Sequence, residues 1–281
     1  GKRTHDVEIS EWDYDLLKKE AKIEWRHIEP QRGRSNNSVL LLRDKVTKDR
    51  FQSIIEKTKQ FGEPGFVLSD DTLTLYNPCF EISFVPVTSD GVCGVQFCNL
   101  TSINGAKTDS TARFREAVKA ATLIGTLQAT YTTFPYLSPA AQKLTEEEAL
   151  LGVSITGMMD NPQVLLDPQI QREMAVYSKE VNLEWSRKLF INQAARITCI
   201  KPEGTSSLTL GSASGIHPHH ARRYFRRMQH NRTENVFRHL KKVNPHAVEE
   251  SLWSTTKTDD VVTFPLTIPD KAMVKADLIA L

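Results

Sequence analysis

Apolar residues recur along this chain with two periods, and the two alternate. Short runs rich in aliphatic and β-branched residues read as strands at 38–43 (SVLLLR), 65–69 (GFVLS), 81–87 (EISFVPV), 94–100 (GVQFCNL), 152–157 (GVSITG), 196–200 (RITCI) and 261–268 (VVTFPLTI). Between several of them the period becomes helical. Residues 110–133 carry Phe114, Val118, Ala121, Leu127 and Tyr131 at helical spacing, with Asp109 or Ser110 as the cap. Thr145 and Glu148 have the spacing of a capping box. Asp167-Pro168 reads as a cap followed by proline at the first helical position, opening a helix to about Leu189. Strands alternating with helices predict an α/β architecture with a largely parallel sheet, either open or closed into a barrel. No internal repeat, low-complexity tract or interdomain linker is evident.

The two ends read differently from the middle. Residues 11–25 (EWDYDLLKKEAKIEW) are helical in pattern but follow no strand, and the chain stops shortly after an apolar strand. Both ends look cut, as in part of a longer polypeptide.

Composition narrows the function classes. The 281 residues are 40% apolar and 25% charged, ordinary values for a globular protein with a sizeable core. A formal charge of +2 gives no general electrostatic case for nucleic acid or an anionic membrane as partner. No apolar run approaches the ~20 residues of a membrane span, and GKRTHDVEIS lacks the apolar core of a signal peptide. A cytoplasmic protein is expected. The four cysteines, Cys79, Cys93, Cys98 and Cys199, are too few for a disulfide scaffold and include no C-x-x-C pair.

Candidate chemistry begins at YNPCFEI (76–82), which sets an amide, a thiol and a carboxylate at alternate positions. If the segment is extended, Asn77, Cys79 and Glu81 share one face, as a thiol working beside a general base on a substrate hydroxyl requires. Pro78 excludes a central strand and points to an edge or loop tip. The competing reading is a plain Asn-Pro turn with a core cysteine and a solvated glutamate. Cys98, in CNLTSIN (98–104), lies in another strand-like run that a fold could bring beside Cys79, and adjacent thiols can form a disulfide. Cys93 sits in a glycine-flanked turn and reads as a passenger.

A second candidate is CIKPEGTSSLTLGSASGIHP (199–218). A strand leading into a Gly-Thr-Ser-Ser turn presents N–H groups and hydroxyls to an anion, best of all at a helix N-terminus. It matches neither a Walker loop nor a dinucleotide fingerprint, so a flexible loop competes with a phosphate site. HPHHARRYFRR (217–227) reads as a solvated helix face, and His219 and His220 lack the Cys or acidic neighbours of a metal site.

Together, NPCFEI, CNLTSIN, GVSITGMMD and KPEGTSSLTLGSASGIHP, in that order and preceded by FGEPGFVLSDD (61–71), resemble the catalytic barrel of ribonucleotide reductases. The likeness covers roughly residues 30–230. It is strongest to the adenosylcobalamin-dependent (class II) enzymes, especially their monomeric ribonucleoside-triphosphate reductases. The resemblance implies a ten-stranded α/β barrel, with the Cys79 loop as a central finger and residues 1–281 as part of one catalytic domain. Cys79 matches the thiyl-radical cysteine that removes the ribose 3′ hydrogen. Glu81 matches the carboxylate that takes the 3′-hydroxyl proton, and Asn77 the amide that orients the ribose hydroxyls. Cys98 matches one member of the reducing pair, and Pro202, Glu203, Gly204, Thr205, Ser206 and Ser207 match the substrate-phosphate loop. Phe80 stands where the family usually has glycine.

The family's partner for Cys98 lies upstream of the triad, where this chain has no cysteine, and no C-terminal cysteine-bearing tail is present. The resemblance therefore implies a partial reductase lacking its allosteric region and redox tail, with little turnover alone. It implies adenosylcobalamin as cofactor, a ribonucleoside di- or triphosphate as substrate, and thioredoxin or a similar dithiol as reductant. A complementary N-terminal polypeptide is a further possible partner. Three alternatives stay open: the catalytic subunit of an oxygen-dependent class I reductase, a non-catalytic nucleotide-binding piece, and a thiol–disulfide oxidoreductase using Cys93 and Cys98.

Overall fold

The computed structural model describes residues 38–61, 64–77 and 79–279. The stretch 11–25 and Pro78 lie outside the described residues. The chain runs β1 (Ser38–Leu42), α1 (Lys48–Phe61), β2 (Gly65–Ser69), β3 (Leu75–Tyr76), β4 (Ser83–Phe84), β5 (Asn99–Asn104), α2 (Thr111–Gln128), α3 (Pro139–Glu148) and β6 (Leu151–Thr156). It continues through α4 (Pro162–Leu165), α5 (Pro168–Leu189), α6 (Ser206–Leu210), β7 (Arg223–Asn231), α7 (Asn235–Val243), β8 (Val248–Glu250), β9 (Asp259–Thr267) and α8 (Lys275–Ile279). The described residues fall into two compact units. One is built from 38–103, Arg115–Ser154 and Glu173–Pro202, the other from Asn104–Phe114, Ile155–Arg172 and 203–279.

In the first unit, β1 pairs with β2 in parallel, from Ser38↔Gly65 to Leu42↔Ser69. Val39 and Leu41 alternate onto the face that α1 covers with Ile54, and Val46 and Phe51 close over this small core. Helix α2 starts where Ser110 accepts the Phe114 N–H through its carbonyl. The expected stripe of Phe114, Val118 and Ala121 is buried, but it continues through Thr122, Thr126 and Ala129. Leu127 and Tyr131 are exposed. Small residues replace bulky ones because the helix runs close to β6: a Cβ on Gly125 would stand 3.1 Å from Leu151 Cγ. Helix α5 begins as expected. Asp167 Oδ1 accepts the N–H groups of Gln169 and Ile170, satisfying donors that the first turn leaves open. Its buried stripe carries Asn182, whose Nδ2 donates to Thr126 Oγ1 at 3.0 Å and whose Oδ1 accepts from the Ala194 N–H at 2.9 Å. Thr126 Oγ1 donates in turn to the Thr122 carbonyl.

In the second unit, β7, β9 and β8 form an antiparallel sheet in that order, with Arg223↔Thr267 at one end of the long pair and Asn231↔Asp259 at the other. Asp260 is buried on β9. Arg232 donates to its Oδ1 from Nε and Nη2, and Lys241 Nζ donates to its Oδ2. Burial works to raise this carboxyl's pKa, but the bonds from Lys241 and Arg232 outweigh it and hold the group below the usual carboxylate range.

Several expectations change. The α/β mixture stands, but a largely parallel sheet does not: β3–β4 and β7–β9–β8 are antiparallel. Among the described residues the strands group as three pairs and one triplet. Of 81–87 only Ser83–Phe84 is strand. The run at 94–100 becomes strand at Asn99, and 196–200 makes a single bridge at Thr198. Apolar content without a paired neighbour is not enough to form a ladder. Thr145 and Glu148 end a helix rather than start one. Ser138-Pro139 opens α3, and the Thr145 hydroxyl donates back to Ala141 O. Residues 223–227 are strand, not a helix face: Tyr224 and Arg226 are half-buried while Arg223, Phe225 and Arg227 are exposed.

Candidate active site

Strands β3 and β4 pair through Leu75↔Phe84 and Tyr76↔Ser83, which makes the predicted triad the loop of a tight hairpin. Asn77 closes that loop. Its N–H donates to Ile82 O, its Oδ1 accepts the Ile82 N–H at 3.0 Å, and its carbonyl accepts the Phe80 N–H. The segment is therefore turned rather than extended, so alternation along a strand does not set its side-chain directions. Phe80 is in the left-handed region with φ 62, a conformation natural to glycine, and its ring lies 5.9 Å from that of Tyr76. Cys79 is exposed at the tip. Glu81 is half-buried, and its Oε2 is fully buried with no hydrogen-bond partner.

Cys98 lies just before β5, which pairs with β6. The N–H and the side-chain Nδ2 of Asn99 both donate to Leu150 O, fixing this corner. The segment after α5 also joins β6: Val153 N–H donates to Ile197 O, and Cys199 N–H donates to Val153 O. Both thiols thereby reach Gly152. A Cβ there would stand 3.0 Å from Cys98 Sγ, 3.1 Å from Cys199 Sγ and 2.4 Å from Leu100 Cδ2, so the position admits only glycine without movement. Burial pushes the Cys98 thiol up to about 12, with help from Cys199 and Glu81 and against the pull of Arg196. Cys98 is thus a neutral S–H group at ordinary pH, close enough to Glu81 to feel its charge. Arg196 is held by Ser83 Oγ on β4 at 2.7 Å and by Glu148 at 3.5 Å. Cys93 is exposed, bridged to Val87 in a surface turn.

The predicted phosphate loop opens α6. Glu203 is buried and accepts a hydrogen bond from Ser206 Oγ, while Ser207 Oγ donates to Gly204 O. Arg226 on β7 donates to that carbonyl at 2.7 Å and to Ser207 Oγ at 3.3 Å. Gly204 and Thr205 are exposed, with open space where a Gly204 side chain would be. Turning Ser206 and Ser207 inward leaves the backbone of 204–205 as the outward-facing part of the loop.

The second unit holds a buried polar chain that sequence reasoning missed. His219 Nε2 lies 2.6 Å from Asp160 Oδ1, its Nδ1 lies 3.1 Å from the Tyr224 hydroxyl, and Asp160 Oδ2 accepts the Ala213 N–H. Asp160 and His219 also line a cavity of about 300 Å³ with Ser207, Arg226, Lys107 and Lys271. The acidic partner of His219 comes from GVSITGMMD, a motif already noted for other reasons. Nothing in the linear spacing joins it to HPHH. The nearness of Cys199 to Cys98 was equally hidden, although both flank strand-like runs.

No family model matches the sequence, and no curated protein matches it. Solved structures do. A B12-dependent (class II) ribonucleotide reductase aligns with a TM-score of 0.60 at 17% identity, covering 86% of this chain and 38% of that one. The class Id ribonucleotide reductase alpha subunit of Actinobacillus ureae aligns with a TM-score of 0.47 at 15% identity, covering 75% of this chain and 47% of that one. The chain thus spans well under half the length of the class II enzyme. Its fold is that of the corresponding part of a B12-dependent ribonucleotide reductase.

Proposed function

We propose that this chain carries the chemistry of ribonucleotide reduction, replacing the ribose 2′-hydroxyl by hydrogen through a thiyl radical on Cys79. The observation that carries the reading is the hairpin. On a fold shared with a class II reductase, it sets Cys79 at an exposed tip two residues from Glu81, a buried carboxylate oxygen with no partner of its own. An unpartnered buried acceptor is costly unless a ligand supplies the hydrogen bond. The ribose 3′-hydroxyl is that donor in this reading, and Glu81 takes its proton as the 2′-hydroxyl leaves as water. Asn77 acts partly through the loop, because its Oδ1 is committed to Ile82 and its Nδ2 is left to face the ribose. Cys98, kept protonated by burial, can donate hydrogen without ionising first.

Pro202, Glu203, Gly204, Thr205, Ser206 and Ser207 form the loop for the substrate phosphates. The N–H groups of Gly204 and Thr205 contact the anion, and Arg226 braces the turn. The ten-stranded barrel, with residues 1–281 as part of one catalytic domain, belongs to this reading, as does a cytoplasmic location. Adenosylcobalamin, when bound, supplies the radical. The exposed Cys79 fits a radical delivered from outside the chain, by that cofactor or by a second subunit as in class I. A thioredoxin-like dithiol resets the thiols, and a complementary N-terminal polypeptide is a further partner in this reading. No helix among the described residues is long and apolar enough to cross a membrane.

The test is anaerobic incubation of stoichiometric chain with each ribonucleoside di- and triphosphate and dithiothreitol, with and without adenosylcobalamin. Deoxyribonucleotide should form at about one per chain or less, only with cobalamin, and not in Cys79→Ser. Product equal in wild type and Cys79→Ser would refute the reading.

A further inference from the structure

The cavity of about 300 Å³ in the second unit holds three cations from three segments, Lys107, Arg226 and Lys271, against one carboxylate, Asp160. The polar groups of its buried floor are already matched. Asp160 Oδ1 lies against His219 Nε2, Asp160 Oδ2 accepts the Ala213 N–H, and Ser212 Oγ donates to Ala213 O. The cations are not matched: among the described residues no carboxylate pairs with any of the three. Each nevertheless sits on a braced segment. Lys107 ends a short turn, Gly105–Lys107, which Asn104 caps by accepting the Ala106 N–H while its Nδ2 donates to Leu210 O. Lys271 lies in a turn wrapped around Arg222, whose Nη1 donates to the carbonyls of Pro269, Asp270 and Ala272. Arg226 is half-buried and fixed by Gly204 O and Ser207 Oγ, both neutral acceptors.

We propose that this cavity binds a small phosphate monoester, with the phosphate among Lys107, Arg226 and Lys271 and the organic body against Leu208, Leu266 and Ile268. Three cations less one carboxylate leave an excess of two positive charges, before His219 is counted. A phosphate monoester carries about two negative charges and three acceptor oxygens, so it answers both the charge and the three directions of approach. A carboxylate brings one charge and two oxygens in a plane, and fits less well. Because the turn beside Lys107, the turn beside Lys271 and the Arg226 head are already held, little ordering is left for the ligand to impose. The volume is at the lower end of the ~300–1,000 Å³ of small-molecule pockets, which suits a sugar phosphate or a nucleoside monophosphate. The site is separate from the loop proposed above for the substrate phosphates. None of residues 202–206 lines the cavity, which meets α6 at Ser207, Leu208 and Leu210.

The site is tested by isothermal titration of the full 281-residue chain with ribose 5-phosphate, AMP, inorganic phosphate and adenosine. Ribose 5-phosphate and AMP should bind more tightly than inorganic phosphate, and adenosine should not bind. Equal affinity for the two esters identifies a sugar phosphate as sufficient, whereas tighter AMP binding identifies the nucleoside body as part of the ligand. The double variant Lys107→Ala/Lys271→Ala, both exposed and so removable without emptying the core, should weaken ester binding about tenfold. Hydrogen exchange should slow on ester binding at residues 105–108 and 266–272. Exchange that slows only at 203–206, with unchanged affinity in the double variant, would assign the anion to the substrate loop and overturn the cavity site. Inorganic phosphate binding as tightly as both esters, adenosine binding as tightly as AMP, or no binding of either ester up to about 10 mM would overturn it as well. None of these readouts depends on ribonucleotide reduction, so the site and the function proposed above stand or fall separately.

Discussion

Cys98 should react with iodoacetamide far more slowly in the native chain than in the unfolded one, and the factor can be worked out. Its thiol is pushed up to about 12, chiefly by burial. At pH 8 only about one molecule in ten thousand then carries the thiolate, against about a quarter for an unperturbed thiol of pKa about 8.5. That deficit is a little over three powers of ten. The more basic thiolate is intrinsically more nucleophilic, and a Brønsted slope of about 0.45 returns roughly one and a half of them. The expected native rate is therefore about 60-fold below the urea-unfolded rate, before any steric protection. Quantitative mass spectrometry of the Cys98 peptide after timed alkylation measures it. The rate should also keep climbing tenfold per pH unit beyond pH 10, where the unfolded reference has levelled off. A native rate equal to the unfolded one, or a plateau near pH 9, would refute the burial argument. The same shift has a consequence for stability. The folded thiol holds its proton more tightly than the unfolded one. Its contribution is thus complete below about pH 8.5 and is lost as pH rises toward 12. Wild type should lose more stability than Cys98→Ala across that alkaline window.

Three further outcomes follow from the geometry. Phe80→Val puts a β-branched residue at φ 62 and should cost about 1–2 kcal/mol by chemical denaturation, whereas Phe80→Gly relieves the backbone and should cost less despite losing the Tyr76 contact. Asn182→Ala strands the Ala194 N–H and the Thr126 hydroxyl in a buried layer, which should cost about 2–4 kcal/mol; a loss under about 1 kcal/mol would mean that water replaces the amide. Asp260→Asn should lower stability at pH 7, because the folded carboxyl is held below its usual range by Lys241 and Arg232. That deficit should shrink as pH falls below about 4, where wild type protonates as well.

Local chemistry made part of this protein legible in one dimension. Asp167-Pro168 starts a helix because both the cap and the proline act within one turn, so no distant partner can change the outcome. The run at 38–42 and the stripe at Phe114, Val118 and Ala121 were readable because burial imposes its period directly on sequence. The order of NPCFEI, CNLTSIN and the Gly-Thr-Ser-Ser turn suggested a reductase, and the solved class II structure shares the fold.

What pairs across long separations was not readable. The sequence 217–227 looks like a solvated basic helix until β9 supplies hydrogen-bonding partners for β7 along its length. Thr145 and Glu148 have the spacing of a helix start, but Ser138-Pro139 had already opened that helix. The triad's alternation holds for an extended strand, and the Asn77–Ile82 bonds bend it into a turn. The sequence by itself thus determined which side chains are available for chemistry, because their identities and local order are covalent. Only the tertiary structure decided that Glu81 carries a buried oxygen without a partner, that Asp160 meets His219, and that Cys98 faces Cys199 across a residue with no side chain. Those contacts depend on which strands lie against β6 and which loops close on themselves, and no short-range rule encodes that.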